Sequence, residues 1–257
     1  MHKAETIFFQ VLSDIRDYLH NLTLVGGWVP YIYATYLWKD TEVMPLTTSD
    51  IDFGVGEPVE TIPPETIYEI LLPGYRQRHI SMDRMFPVVF HLENVEIHFL
   101  STEDMPKRII DKLMGRQINV SKVEYFDVLL RNRVPINVMD NKANEYTIYI
   151  PKPSAYIYHK GLTFVSREYE DAKAKDLHYI YYVLRFCPNL DEILLELKSF
   201  KKDKGFIRFM ENMNQYFERI SSRGCLMVEK ENGPDDYVRS VREDAFDRFQ
   251  SLIKYLE

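Results

Sequence analysis

The chain has 257 residues, 46% of them hydrophobic, which is enough for one large domain or two modest ones with packed cores. A formal net charge of −7 argues against a general nucleic-acid coat, because duplex binding relies on Lys and Arg to neutralise phosphates; only a local basic groove stays open. Cys187 and Cys225 form no CxxC pair, the start lacks a signal-peptide layout, and no apolar run reaches roughly 20 residues, so the expected setting is the cytoplasm, with no disulfide framework, no zinc site and no membrane contact.

Ile7, Phe8, Leu12, Ile15 and Leu19 recur at helical spacing and predict an opening amphipathic helix. A short strand follows at 22–25. Gly26-Gly27 breaks the pattern, and 28–37 reads as a buried helix with Pro30 in its first turn. Tyr31, Tyr33 and Tyr36 fall inside that helix and read as packing residues rather than base-stacking platforms. A second strand is predicted at 51–55, where Asp50 and Asp52 alternate against Ile51 and Phe53. Pro63-Pro64 opens a short helix at 65–72 that Pro73-Gly74 closes.

Three strand-like runs, 76–80, 87–92 and 95–100, predict a meander with Glu93-Asn94 as a turn. A mixed segment over 103–144 leads to a strand at 146–150. Pro151-Lys152-Pro153 is the expected domain boundary, because proline interrupts both ladders and helices. Beyond it the pattern is helical: a helix capped by Ser154 and running to about 166, one over 169–186 stopped by Pro188, one capped by Asp191, a continuation through Phe206–Met213, and a last helix over 236–256 after Asn232-Gly233-Pro234. The fold class is therefore α+β, with a mixed sheet and flanking helices in 1–150 and an all-helical 151–257.

Two carboxylates two apart on one strand project from one face, so Asp50 and Asp52 can hold divalent ions, and oxygen ligands suit Mg2+ or Mn2+. Glycines at a strand-to-helix turn, here Gly26 and Gly27, let backbone N–H groups approach a phosphate closely. Lys160 and Arg167, seven apart, would share one face of a continuous helix and reach one triphosphate, with Lys175-Asp176 on the next helix.

Gly26-Gly27-Trp28 followed at a distance by Ser49-Asp50-Ile51-Asp52-Phe53 resembles the glycine-then-DxD signature of the DNA polymerase beta type nucleotidyltransferase superfamily. That resemblance implies a sheet-borne metal site, a nucleoside triphosphate such as ATP as substrate, Ser49 beside the nucleotide, a helical domain closing the nucleotide cleft, and a third carboxylate from a neighbouring strand. The matching strand reads Val95-Glu96-Ile97-His98-Phe99-Leu100. Glu96 and His98 share a face, and by motif position the third group corresponds to either: Glu96 would complete the metal site, whereas His98 would act as general base or mark a weakened enzyme that only binds nucleotide or a partner.

The block from Pro151 to Lys160, with Arg167 and Lys173-Ala174-Lys175-Asp176-Leu177, resembles helical motifs of stand-alone bacterial AbiEii-like nucleotidyltransferases. By that resemblance Lys175 contacts phosphate and Asp176 orients a base or the acceptor. The acceptor itself stays open among an RNA 3′ end, a protein and a small molecule, in a setting that includes toxin-antitoxin pairs with an antitoxin-like protein partner.

Overall fold

The computed structural model describes residues 3–40, 42, 48, 50–58, 61–80, 87–232 and 241–257. The chain divides into two compact units, Met1–Pro151 and Lys152–Glu257.

The first unit opens with α1 (Lys3–Asp14), which contains no glycine or proline and buries Ile7, Phe8, Phe9, Val11 and Leu12 along one side. A 3-10 turn at Arg16–Tyr18 leads to β1 (Leu22–Val25), whose four residues are all buried. Gly26 takes φ +71°, and α2 (Trp28–Ile32) starts directly after Gly27. The helix then widens into a π turn, Tyr33–Trp38, which Lys39 ends in the left-handed conformation at φ 57°. Trp28 stacks on Phe8 with ring centres 4.4 Å apart, so the glycine turn is anchored to α1.

β2 (Ile51–Val55) carries the predicted alternation. α3 (Ile67–Leu71) begins two residues later than Pro63-Pro64 suggests, because Thr66 caps it in a reciprocal pair: Thr66 N–H donates to Glu69 Oε2 at 2.7 Å, and Glu69 N–H donates to Thr66 Oγ1 at 3.4 Å. β3 (Arg76–His79), β4 (Val88–Leu92) and β5 (Val95–Ser101) form the expected antiparallel meander, with Glu93 at φ 52° in the turn between the last two. The mixed segment resolves into α4 (Lys107–Met114), β6 (Val120–Lys122), α5 (Asp127–Arg131) and β7 (Arg133–Met139), followed by β8 (Glu145–Pro151).

The main sheet has the order β1-β2-β5-β4-β3, with β6 beside the far end of β5. β2 and β5 are parallel, and β1 is antiparallel to β2. β7 and β8 form a separate antiparallel hairpin. Along β5 burial alternates strictly: Val95, Ile97, Phe99 and Ser101 are buried, whereas Glu96, His98 and Leu100 are half-buried. One face of the sheet thus builds the core and the other stays half-buried.

The second unit is all helical, with α6 (Pro153–Thr163), α7 (Glu170–Phe186), α8 (Leu190–Ser199), α9 (Phe206–Phe217), α10 (Arg223–Asn232) and α11 (Val241–Leu256). Two expected caps are not caps. Lys152 occupies the cap position of α6 with Pro153 next to it, and Ser154 Oγ instead donates to Glu196 Oε2 at 2.6 Å; Asp191 lies inside the first turn of α8, which Asn189 precedes. The break expected at Gly233-Pro234 and the start of the last helix before Val241 lie outside the described residues. α10 had no counterpart in the sequence reading. Its apolar residues run consecutively from Cys225 to Val228 rather than recurring at helical intervals, and Leu226 stays exposed. Phe209 seats its ring against Gly161, where a β-carbon would stand 2.4 Å from Cε2, and Phe217 stacks on Phe249.

His178 lies deep in this unit near Tyr179 and Tyr181, and burial pushes its pKa down to about 4. Because the folded value lies below the ordinary 6.5, the imidazole favours folding when neutral. Its contribution is complete above pH 6.5 and is lost as pH falls toward 4. A shift of this size corresponds to about 3 kcal/mol. Acid titration of thermal stability should show a loss of that order between pH 6.5 and 4, and His178→Phe should remove most of it. An unchanged slope in the variant would assign the acid sensitivity elsewhere. Among the described residues no helix is long and apolar enough to cross a membrane.

Candidate active site

Asp52, Glu96 and His98 sit half-buried on the face of the sheet opposite the core. In the antiparallel ladder Val25 is opposite Asp52, so the turn that leaves β1 at Gly26 closes over the start of β2. Asp50 stands just before that strand, half-buried, with its N–H directed to Thr48 Oγ1 at 3.4 Å. Asp52 shares its face by the period of two. Gly26 is tightly constrained: a β-carbon there would lie 1.9 Å from Asp52 Oδ2 and 2.8 Å from Asp52 Cγ, and its φ of +71° suits glycine in any case. The glycine turn and the DxD strand, separate signals in the sequence, are one structural unit. Ser49 lies outside the described residues.

The parallel ladder decides which residue stands beside the acids. Asp52 is in register with His98, and Glu96 lies two residues earlier on β5, just before the Ile51↔Ile97 pair and opposite His91 of β4. Glu96 is turned instead toward the edge strand, where Arg78 Nε reaches its Oε1 and Arg78 Nη2 its Oε2, both at 2.8 Å. His98 Nε2 lies 3.3 Å from Glu96 Oε2. The hydrogen bond from Arg78 is the main reason the Glu96 carboxyl is held below the usual carboxylate range. Among the described residues no three His, Cys, Asp or Glu side chains gather as a metal-holding group, and both Glu96 oxygens are engaged by Arg78.

In the helical unit the expected geometry differs. α6 ends at Thr163, a 3-10 turn covers Phe164–Ser166, and Arg167 is already extended, so Lys160 and Arg167 do not lie along one helix face. They converge on Asp176 of α7: Lys160 Nζ contacts Oδ1, and Arg167 Nε donates to Oδ2 at 2.8 Å. The side chains of Lys160 and Asp176 are only 8% and 5% exposed, and that of Arg167 is 50% exposed. Burial alone would raise the Asp176 pKa, but the two cations outweigh it and hold the carboxyl below its ordinary range. Lys160 Nζ also lies 5.8 Å and 5.6 Å from the ring centres of Tyr156 and Tyr179. Lys160 and Asp176 are therefore part of the unit's own interior, whereas Lys175 is half-buried.

A nucleotidyltransferase family model matches residues 9–199, most of the chain, including the glycine turn, the DxD strand and the Lys160–Asp176 block. The chain belongs to this nucleotidyltransferase family. No curated protein and no solved structure gives a significant match. Family membership makes nucleotidyl transfer the general activity and a nucleotide the substrate.

On donor chemistry Asp50 and Asp52 offer carboxylate oxygens, the ligand type that suits a hard divalent cation. Sequence reasoning missed Arg78. It lies on a short, exposed edge strand outside every motif, and only the pairing of β3 with β4 and of β4 with β5 brings its strand within reach of Glu96.

Proposed function

We propose that the chain is a metal-dependent nucleotidyltransferase whose acceptor hydroxyl is deprotonated by His98. The observation that carries this reading is the register Asp52↔His98, which sets an imidazole beside the DxD acids at the place where the superfamily resemblance implies a third carboxylate. Asp50 and Asp52 would hold Mg2+ or Mn2+, which when bound polarises the α-phosphate and neutralises the departing pyrophosphate. Gly26 and Gly27 let the turn approach the triphosphate. The acceptor oxygen bonds to the α-phosphorus, the bond from that phosphorus to the bridging oxygen breaks, pyrophosphate leaves, and the hydroxyl proton passes to His98.

Lys160 is kept for Asp176 in this reading, because an ammonium committed to a buried carboxylate would forfeit that partner on turning outward, and Lys175 is the helical cation that the resemblance assigns to phosphate. Arg167 keeps half its side chain exposed while its Nε donates to Asp176. The likeness of the helical block to AbiEii proteins extends the proposal to an RNA 3′ end as acceptor and to a toxin role held in check by an antitoxin-like protein.

Incubating wild type and Asp52→Ala with Mg2+ or Mn2+, each labelled nucleoside triphosphate and total cellular RNA tests the reading. Labelled RNA in the wild type that disappears in Asp52→Ala is the expected result. Pyrophosphate release without labelled RNA moves the acceptor to proteins or small molecules, and nucleotide binding without turnover overturns the enzyme in favour of a binding module.

A further inference from the structure

Resting on the proposed base role of His98, we propose that Arg78 is a positioning residue that fixes the His98 imidazole through Glu96. Arg78 reaches across the sheet from β3 to Glu96, and Glu96 and His98 follow each other two residues apart along β5. Arg78 on β3 is in register with Val89 on β4, and its guanidinium passes beyond β4 to Glu96 on β5, two strand spacings or roughly 10 Å away. A small side chain at Val89 suits that crossing. The guanidinium engages both carboxylate oxygens of Glu96 at 2.8 Å, which fixes the carboxylate plane. Oε2 of the same carboxylate then faces His98 Nε2 at 3.3 Å.

The protonation pattern follows. Arg78 keeps Glu96 ionised, so both of its oxygens are acceptors only, and a stable contact requires a hydrogen on His98 Nε2. In the neutral imidazole the lone pair then resides on Nδ1, the atom left to take the acceptor proton. Magnitude also separates positioning from stability. The side chains are 52%, 31% and 30% exposed, and ion pairs this open contribute little to folding. An orienting carboxylate behind a working imidazole commonly matters by about 10- to 100-fold in function. Arg78 is therefore expected to affect turnover far more than folding.

Two measurements test this. Nitrogen-15 spectra of the nucleotide-free protein, with His98 assigned by comparison with His98→Gln, should show the Nε2–H tautomer in the wild type at a pH where the ring is neutral. Arg78→Ala should give a mixture of tautomers, and Arg78→Lys should restore part of the preference through a single contact. In steady-state assays Arg78→Ala should lower kcat by about 10- to 100-fold with KM for the nucleotide little changed. In a His98→Ala background the same change should have no further effect.

An unaltered tautomer in Arg78→Ala, or an equal kcat loss in both backgrounds, overturns the inference. The spectra need no turnover, so a wild type that transfers no nucleotide would remove the enzyme reading while the tautomer result still decides the role of Arg78.

Discussion

Replacing Gly26 with alanine should abolish nucleotidyl transfer while leaving most of the fold in place. The methyl group would arrive 1.9 Å from Asp52 Oδ2, far inside van der Waals contact, so either the carboxylate or the turn must move. The φ of +71° adds roughly 1–2 kcal/mol of strain for a residue with a β-carbon. Asp52 is the more mobile partner, since its strand backbone is paired on both sides, with Val25 and with His98, whereas its side chain can rotate. A reacting group misplaced by about 1 Å already costs on the order of 100-fold, and loss of a metal-holding carboxylate costs more. The assay is label transfer beside a thermal melt. A variant that keeps wild-type kcat would show that Asp52 does not work from this position, whereas global unfolding would show that the strain spreads into β1.

Lys160→Met should destabilise the helical unit by about 3–5 kcal/mol, because Asp176 stays buried with only Arg167 to balance it. Pairing this change with Asp176→Leu should recover much of the loss, since an apolar pair of similar volume carries no desolvation cost. The sign separates two roles. A phosphate-binding lysine would lose nucleotide affinity without losing stability, and the double variant would be no better than the single. Chemical denaturation of the three proteins decides between them.

Local patterns were legible in the sequence and long-range pairings were not. The strands at 22–25 and 51–55 agree with the structure to the residue, because Gly26-Gly27 and the alternation around Asp52 are signals within a few positions. The choice between Glu96 and His98 beside Asp52 could not be read, since the two share one face of β5 and only the register of two parallel strands far apart in the chain sets one of them level with Asp52. Spacing misled for Lys160 and Arg167, because equal faces presume one continuous helix and the backbone changes to a 3-10 turn after Thr163. The Thr66–Glu69 capping pair was visible as Thr-x-x-Glu and would have corrected the start of α3.

Arg133 has a consequence for how short a working piece of this protein can be. Its guanidinium donates to His20 O, Leu22 O and Thr23 Oγ1, each at 3.1 Å, and stacks on Tyr149 at 4.2 Å. With Tyr33 Oη on Pro151 O at 2.6 Å, it clasps the β7–β8 hairpin to the chain around β1, although the hairpin belongs to a different sheet. Arg133 also lines a cavity of about 360 Å³ together with Thr23, Gly56 and Thr102. A fragment cut before Arg133 would retain both aspartates and the whole main sheet on paper, yet it would strip the support from the strand that carries the glycine turn. The hairpin is the buttress of the first strand, and a fragment meant to hold Asp52 against Gly26 should extend through β8 to Pro151, where the first compact unit ends, not stop at the last strand of the main sheet.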